Sequence, residues 1–441
     1  MKINNALTLP MSVPLDLLDE HFLNLDQPRE PWGVHLEVRV SGRLEPGRLS
    51  QAIGVAAQRH PIARARLAPA RPTDLAYRWE IVESLDRIPL TVVACSNDTR
   101  MADARERVFS VSPPVDVAPP FAVVLVHRPG GDTILLNLHH AAGDGVSAVR
   151  LMRSILRAVA GDEDPLPAID PLAVRDVLAI ARARSLPERL ARRRALARAA
   201  ARRIAPITRM AHDGGDSQLG YGFELMAFSL DETAAVFEKH GDGATVNDVL
   251  LAALAAAIRR WNRDHGRYAG HIALTMPVNL RPAGWRDEVV GNFASYVSVS
   301  LRSRDHRDLR RAIDVTADRT RRIKHGRLAG LTVELLVGPS RLPVVVKRHL
   351  QDLIPLTGNT MVDTASLSNL LVLDGWPVLG GGAGAVEGVW FSPPGRAPLG
   401  AAIGAATVGG RLHVTIRYPR SQFDREGARA FAALYRDVLV G

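Results

Sequence analysis

Residues 133–156 read TILLNLHHAAGDGVSAVRLMRSIL. The apolar run at 133–138 is typical of a buried strand, and the residues after Gly145 repeat apolar side chains at helical spacing. The pattern therefore predicts a strand, a short turn and a helix, with His139 and His140 at the turn. A side chain at such a turn is held by two rigid elements and still faces a cleft.

The turn carries the pattern HHxxxDG, which specifies four residues in seven. A chance match somewhere in a chain of this composition is on the order of one in a thousand. A single histidine at a strand end is more often a hydrogen-bonded structural residue than a base. Imidazole can, however, take a proton from a hydroxyl or an amine, which is what attack on a carbonyl requires. The complete pattern therefore favours a catalytic site.

HHxxxDG resembles the signature of the chloramphenicol-acetyltransferase-like superfamily. That superfamily includes peptide-synthetase condensation domains, wax ester synthase/diacylglycerol acyltransferases and polyketide-associated acyltransferases. Other segments resemble the superfamily in their order along the chain: PLDLLD at 14–19, QRHPI at 58–62, TVNDVLL at 245–251, MPVNLRP at 276–282 and GNF at 291–293. The resemblance covers nearly the whole chain, and HHxxxDG is its one specific motif.

The resemblance implies an α/β fold of two similar sandwich domains, packed face to face, with the HHxxxDG turn in a tunnel between them. We expect an N-terminal acyltransferase subdomain at 1–161 that carries the motif. An arginine-rich helical connector is expected at 162–222 and a second, acyltransferase-like subdomain at 223–441. Repetition between the two halves is expected in architecture only, since no sequence repeat is detectable.

The same resemblance implies roles for the motif residues. His140, the second histidine, would be the general base, and His139 would be structural. The neighbouring Asp144 invites a His–Asp catalytic pair, but in the family this aspartate turns away from the base and pairs with an arginine. Arg281 is the expected partner. Gly145 would let substrate approach the backbone closely, because a Cβ there would narrow the passage.

Groups that stabilise an oxyanion are less well specified. The main-chain N–H groups at the start of the helix after Gly145 are candidates. Three polar residues in the second half of the chain are either further donors or ordinary turn residues: Ser366, Ser368 and Asn369. The DFGWG motif of the plant branch is missing, and Asn292 and Ser295 depart from the condensation-domain pattern. No particular substrate is therefore carried over from a subfamily.

Periodicity and caps predict the remaining elements. We expect Ser50 to cap a helix ending at 59, Asp231 to cap a short helix, and Thr245 to begin a long one through 261. Further helices are expected at 309–325 and 426–438. Strands are expected at 35–40, 78–82, 121–126, 224–230, 272–277, 294–301, 370–373, 386–391, 401–408 and 412–418.

The net charge of +10 is concentrated in one segment. Between 182 and 209 the chain has ten arginines and one acidic residue, Glu188, and the rest is close to neutral. This segment is either a solvated helix or a docking surface for an acidic acyl or peptidyl carrier protein, the phosphates of coenzyme A, or an anionic membrane. Nucleic acid is not expected as a partner, because aromatic residues are only 5% of the chain and none interleave with these arginines.

Cys95 is the only cysteine, so an intramolecular disulfide is excluded and a reducing compartment is favoured. Residues 1–10 lack the features of a signal peptide, and the apolar stretch at 342–346 is too short to span a bilayer. We expect a cytoplasmic protein, with peripheral attachment to a membrane as an alternative.

These observations predict an acyltransferase. It would move an acyl group from a coenzyme A or phosphopantetheinyl carrier-protein thioester to a hydroxyl or amine, giving an ester or amide, in specialised-metabolite biosynthesis. The thioester would be a co-substrate, and no permanently bound cofactor or metal is expected. The alternatives are a wax ester synthase/diacylglycerol acyltransferase that acts on lipid alcohols and a non-catalytic module that binds carrier proteins.

Overall fold

The structure is a computed structural model. It describes residues 11–165, 168–202, 206–215, 220–285, 288–353 and 362–441, with side chains at 198–202 excepted. Residues 1–10, for which the sequence predicts no signal peptide, lie outside the described residues, as do the side chains of Arg198, Arg202 and Arg203 of the arginine-rich segment.

Strands and helices alternate along most of the described chain. The strands are β1 (Met11–Pro14), β2 (Gly33–Val40), β3 (Ala65–Leu67), β4 (Arg78–Ile81), β5 (Leu90–Ala94), β6 (Phe121–His127), β7 (Thr133–His139), β8 (Tyr221–Ala227), β9 (His271–Asn279), β10 (Ala294–Arg302), β11 (Ala365–Val372), β12 (Val386–Ser392), β13 (Ala402–Val408) and β14 (Arg411–Pro419). The helices are α1 (Leu17–Leu25), α2 (Pro46–Arg59), α3 (Asp98–Phe109), α4 (Gly145–Ala160), α5 (Val177–Ala181), α6 (Leu186–Arg202), α7 (Leu230–Glu238), α8 (Val246–Asp264), α9 (Leu309–His325), α10 (Ala329–Ser340), α11 (Val344–Lys347) and α12 (Arg425–Val440).

The first large sheet places the histidine motif at its centre. Its strand order is β12-β2-β7-β6-β5, with β5 parallel to β6 and the other pairs antiparallel. One face is covered by α2 and α4 and the other by α3, so β7 is buried along its whole length. Burial on both faces explains why 133–138 reads as a continuous apolar run.

The second large sheet has the order β10-β9-β11-β13-β14-β8. The side chains of Leu274, Leu367 and Ile403 point from its inner strands into a core shared with α8 and α12. Because side chains alternate along a strand, Thr275 and Ser366 lie on the opposite face. A small sheet of β1, β4 and β3 completes the strands of the described ranges.

Strand β12 joins the two units of the protein, the first unit being built around the first large sheet and the second unit around the second large sheet. It lies late in the chain, within the segment expected as the second subdomain, yet it pairs antiparallel with β2 in the first sheet. It also crosses β13 closely, where a Cβ at Gly404 would overlap the carbonyl oxygen of Phe391. Nothing in the local pattern of 386–391 indicates this exchange, since periodicity reports burial and not the identity of the partner strand. The subdomain boundaries at 161/162 and 222/223 stay predictions.

Two of the three predicted caps are wrong. Helix α2 begins at Pro46 and is capped by Glu45, whose carboxylate accepts from the N–H of Gly47, and not by Ser50. Helix α7 is capped by Ser229 in a reciprocal capping box with Glu232, so that Asp231 lies inside its first turn. In both cases the helix begins upstream of the predicted cap, so that residue lies inside the helix. Thr245 is confirmed as the N-cap of α8.

Candidate active site

The HHxxxDG loop is a tight connection between two central elements. Strand β7 ends at His139 and helix α4 begins at Gly145. Asp144 is the N-cap of α4, and its carboxylate accepts from the N–H of Ser147 at 3.0 Å. The aspartate of the motif is therefore needed to start the helix, whatever else it does.

Asp144 forms a buried, bidentate ion pair with Arg281. The two Nη–Oδ distances are 2.7 and 2.8 Å, and both side chains are almost fully buried. The remaining lone pair on Oδ2 accepts from the main-chain N–H of Phe293 at 3.0 Å. Burial raises the pKa of Asp144, but the Arg281 guanidinium more than offsets this and holds it below the ordinary value. These bonds direct the carboxylate away from His140, so the described structure contains no His140–Asp144 hydrogen bond.

The segment 291–293 clamps the motif loop from the second unit. Gly291 exchanges hydrogen bonds with the hydroxyl of Ser147, through its N–H at 3.0 Å and its carbonyl at 2.7 Å. Asn292 bonds to His140 and Ala141, and Phe293 bonds to Asp144. Three consecutive residues thus hold the loop and the first turn of α4 in one geometry.

His139 is buried, and its ring contacts residues of the first half of the chain. Its Nδ1 accepts from the N–H of Ala141 at 3.1 Å, and its Nε2 lies 3.5 Å from the carboxylate of Asp26. Burial raises the pKa of Asp26, but hydrogen bonds from His139, from Ser112 and from the N–H of Trp32 outweigh it and leave the pKa below its ordinary value. With both ring nitrogens engaged, His139 braces the loop against the end of α1.

His140 lies between the two units with its ring stacked on Phe22 of α1, at a centroid separation of 3.8 Å. Its main-chain N–H donates to the carbonyl of Trp32, and its Nδ1 lies 3.3 Å from Oδ1 of Asn292. Burial lowers its pKa from the ordinary value of 6.5 to about 4, although the charge of Asp144 and the bond to Asn292 act in the opposite direction. The imidazole is therefore neutral at physiological pH and able to accept a proton.

Gly145 faces side chains of the second half of the chain. A Cβ at this position would lie 2.9 Å from both Leu370 and Phe391, closer than side chains normally approach. A cavity of about 400 Å³ opens beside this contact, between the first turns of α4 and the end of β11. It is lined by Val146, Val149, Arg150, Arg153 and residues 370–373. The absence of a side chain at Gly145 lets Leu370 and Phe391 pack against the first turn of α4, and the role of Gly145 in substrate approach stays a prediction.

The polar residues proposed as oxyanion donors lie on β11, which begins five residues before the predicted strand. Ser366 and Ser368 are buried, and the Ser366 hydroxyl has no hydrogen-bond partner among the described residues. Asn369 accepts from the N–H of Leu371, which adopts the left-handed conformation with φ of 63°, so its side chain serves a local turn. In the described structure none of the three bonds to the motif loop. The first N–H groups of α4 remain candidates, since the opening turn of a helix has no internal acceptor for them.

Comparison with known proteins assigns the chain to a family. The sequence profile of the Condensation domain family matches residues 21–350. Uncharacterized protein Rv2305 of Mycobacterium tuberculosis (strain ATCC 25618 / H37Rv) is 37% identical over 437 residues, which are 98% of this chain and 100% of that protein. The chain belongs to the Condensation domain family. The family predicted from HHxxxDG is thereby confirmed.

Solved structures share the fold of this condensation domain. The first condensation domain of the calcium-dependent antibiotic synthetase, in complex with substrate analogue 3a, superposes with a TM-score of 0.71 at 16% identity, covering 98% of this chain and 96% of that one. The starter condensation domain of rhizomide synthetase, in complex with C8-CoA and Leu-SNAC, gives 0.66 at 14% identity, covering 97% and 94%. The α/β class predicted from the sequence is confirmed.

A shorter stretch of the condensation domain is similar in sequence to a peptide synthetase. Nonribosomal peptide synthetase 2 of Gibberella zeae is 29% identical over 149 residues, which are 34% of this chain and 3% of that protein.

Within the described ranges, no helix has both the length and the apolar composition needed to cross a bilayer.

Sequence reasoning did not assign a role in the site to Phe22, Trp32 or Asn292. Asn292 lies in the GNF segment, which the sequence places at a fitting distance from the motif without indicating what its amide contacts. Phe22 and Trp32 lie more than a hundred residues before His140. No local pattern distinguishes any of the three from an ordinary core residue.

Proposed function

We propose that this condensation domain is an acyltransferase that moves an acyl group from a thioester to a hydroxyl or amine acceptor. The observation that carries the proposal is the neutral, buried imidazole of His140, braced on one ring nitrogen at the contact between the two units. The other nitrogen, Nε2, forms no hydrogen bond within the described structure. A lone pair on a rigidly held imidazole is what a general base requires.

In the proposed reaction the acceptor O–H or N–H donates to Nε2 of His140. The acceptor atom attacks the thioester carbonyl, a new C–O or C–N bond forms, and the proton passes to the imidazole. The tetrahedral oxyanion accepts hydrogen bonds from main-chain N–H groups at the start of α4. Its collapse breaks the C–S bond, and the imidazolium returns its proton to the departing thiolate. Atoms and charge balance without a further reactant.

The donor in this proposal is an acyl-CoA or an acyl or peptidyl group on a phosphopantetheinyl carrier protein. Two comparisons support these choices. A starter condensation domain of the same fold was solved with C8-CoA and Leu-SNAC, and a peptide synthetase shares sequence with part of this chain. Specialised-metabolite biosynthesis in the cytoplasm is the setting that we propose.

Intact-mass spectrometry tests the proposal directly. The protein is incubated with acyl-CoAs or acyl-loaded carrier proteins and a panel of amines and alcohols. We expect ester or amide formation with at least one pair, and a loss of rate on the order of 10²–10⁴-fold in His140→Gln. The matched control is His240→Gln, which changes an exposed histidine on the loop after α7. Binding of a loaded carrier protein with no acyl transfer, equal in wild type and His140→Gln, would instead support the non-catalytic module.

A lipid acceptor is the second candidate, and the surface of α6 favours it. Leu186, Leu190 and Leu196 are exposed on this helix, where they lie among exposed arginines. Apolar side chains between cationic ones suit the interface of an anionic bilayer. Not every arginine of the segment is available, because Arg192 is buried against Glu334 of α10.

Co-sedimentation separates the two candidates. Vesicles of phosphatidylglycerol, compared with vesicles of phosphatidylcholine, would retain the protein if α6 serves a wax ester synthase/diacylglycerol acyltransferase-like activity. An acidic carrier protein that binds to α6 without vesicle retention would favour carrier-protein docking. Arg193→Glu combined with Arg194→Glu changes two exposed arginines and should weaken either interaction.

A further inference from the structure

We propose that Asn292 and Asp19 are positioning residues for His140. Together they form a hydrogen-bonded chain that holds the imidazole as the Nδ1–H tautomer, with its lone pair on Nε2. The inference rests on the proposed function, because it explains how the general base is prepared. The chain continues to Arg175 in the connector, so it joins three separate parts of the sequence to the site.

The first step is the orientation of the Asn292 amide. Its Nδ2 lies 2.7 Å from the carbonyl of His140, 3.0 Å from the carbonyl of Ala141 and 3.0 Å from a carboxylate oxygen of Asp19. All three neighbours accept hydrogen bonds and none can donate. The atom that faces them must therefore be the NH₂ group, and the amide oxygen must face the other way, towards His140.

The second step is the tautomer of His140. The amide oxygen of Asn292, 3.3 Å from Nδ1, can only accept, so Nδ1 carries the hydrogen. A neutral imidazole protonated on Nδ1 has its lone pair on Nε2. The described protein forms no hydrogen bond to that atom.

The third step is the anchor of the chain. Asp19 is 1% exposed and lies in the first turn of α1. Its second carboxylate oxygen contacts the guanidinium of Arg175 and accepts from the indole of Trp79 at 3.3 Å. A carboxylate held from three sides cannot rotate away, so it fixes the Asn292 amide in turn.

As in a catalytic triad, the base is oriented by a third group. Here the amide of Asn292 lies between the imidazole and the carboxylate. Neither Asn292 nor Asp19 touches the free nitrogen of His140, so both act through the imidazole. If Asn292 is removed, Nδ1 loses its side-chain acceptor and the hydrogen is free to move to Nε2. The base would then be blocked in part of the molecules, although the substrate sites remain intact.

Nuclear magnetic resonance of protein labelled with ¹⁵N-histidine tests the tautomer without any substrate. The His140 signals are assigned by their loss in His140→Gln. We expect the Nδ1–H form in wild type and a mixture of tautomers in Asn292→Ala. In the acyl-transfer assay, kcat should fall on the order of 10–100-fold with KM unchanged. The matched control is Asn262→Ala, because Asn262 is an equally buried asparagine that bonds to the main chain of Ala211 and Arg209, remote from the motif.

The outcomes separate this inference from the proposed function. An unchanged tautomer in Asn292→Ala, or a changed tautomer with unaltered kcat, overturns the positioning role while the proposed function stands. Full turnover in His140→Gln overturns the proposed function itself. If Asn292→Ala does not fold by circular dichroism, Asp19→Asn decides, since it keeps the shape of the side chain and removes the charge. It should shift the tautomer and kcat in the same direction, and no change in either would overturn the inference.

Discussion

Removal of Arg281 should show how strongly an unpaired buried charge destabilises the protein. In Arg281→Met the carboxylate of Asp144 stays buried at the N-terminus of α4 but loses both guanidinium bonds. Breaking such a pair from one side costs about 3–5 kcal/mol, because the remaining charge is neither solvated nor compensated. We expect the free energy of unfolding at pH 7, from urea titration followed by circular dichroism, to fall by that amount.

A double-mutant cycle isolates the charge from the other bonds that Arg281 makes. Arg281 also donates to Ser147 and to the carbonyl of Gly291, at 2.8 and 2.9 Å, and these bonds are lost in either background. In the Asp144→Asn background, Arg281→Met leaves no buried negative charge without a partner. The further loss of unfolding free energy caused by Arg281→Met should therefore be smaller by about 2 kcal/mol in that background. Equal costs in the two backgrounds, within about 0.5 kcal/mol, would refute the reasoning.

The pH dependence supplies a second check with a defined sign. With Arg281 present, the pKa of Asp144 is held below its ordinary value, so the pair stabilises the protein above that value and the benefit is lost as pH falls. Without Arg281, burial is opposed only by the hydrogen bonds from the N–H groups of Ser147 and Phe293, so the pKa of Asp144 should rise. The penalty in Arg281→Met should therefore shrink as pH is lowered from 7 towards 5. The control is Arg436→Met, whose bidentate partner on α7 is partly exposed and which should cost no more than about 1 kcal/mol.

The environments of His140, Gly145 and Arg192 can each be tested by one substitution. Because the pKa of buried His140 is lowered from 6.5 to about 4, kcat/KM should stay level through pH 6.5. Between pH 6.5 and 4 this group should contribute a loss of about 3 kcal/mol of stability, so wild type should lose that much more than His140→Gln when urea unfolding is measured. Gly145→Ala should cost about 1–3 kcal/mol and lower the rate of acyl transfer in the mass assay, because its Cβ would lie 2.9 Å from Leu370 and Phe391 and force a shift beside the motif. Gly54→Ala on α2, where a Cβ meets only an ordinary contact, should gain about 0.5–1 kcal/mol. Arg192→Ala should cost about 2–3 kcal/mol, because it removes the donor to the buried carbonyl of Ala181 and the partner of Glu334, whereas the exposed Arg193→Ala should stay within about 0.5 kcal/mol by thermal unfolding.

Much of the local structure could be predicted because periodicity reports burial. The alternation of apolar residues at 294–301 and the helical spacing at 309–325 correspond closely to β10 and α9. Caps were less predictable, since Ser50 and Asp231 lie inside helices that begin upstream of them, at Pro46 and Leu230. The choice between neighbouring polar residues depends on where the chain enters the helix, which a composition pattern does not record.

The sequence by itself determined the family, the α/β class and the place of the two histidines at a strand–helix turn, because HHxxxDG and the buried run before it are local features. Only the tertiary structure decided what surrounds His140. Asn292 follows it by 152 residues along the chain and Asp19 precedes it by more than a hundred, yet both reach the motif through hydrogen bonds. The pairing of β12 with β2 was decided in the same way. Spacing along a chain specifies which face of an element is buried, whereas the partner on that face is chosen by packing between distant segments.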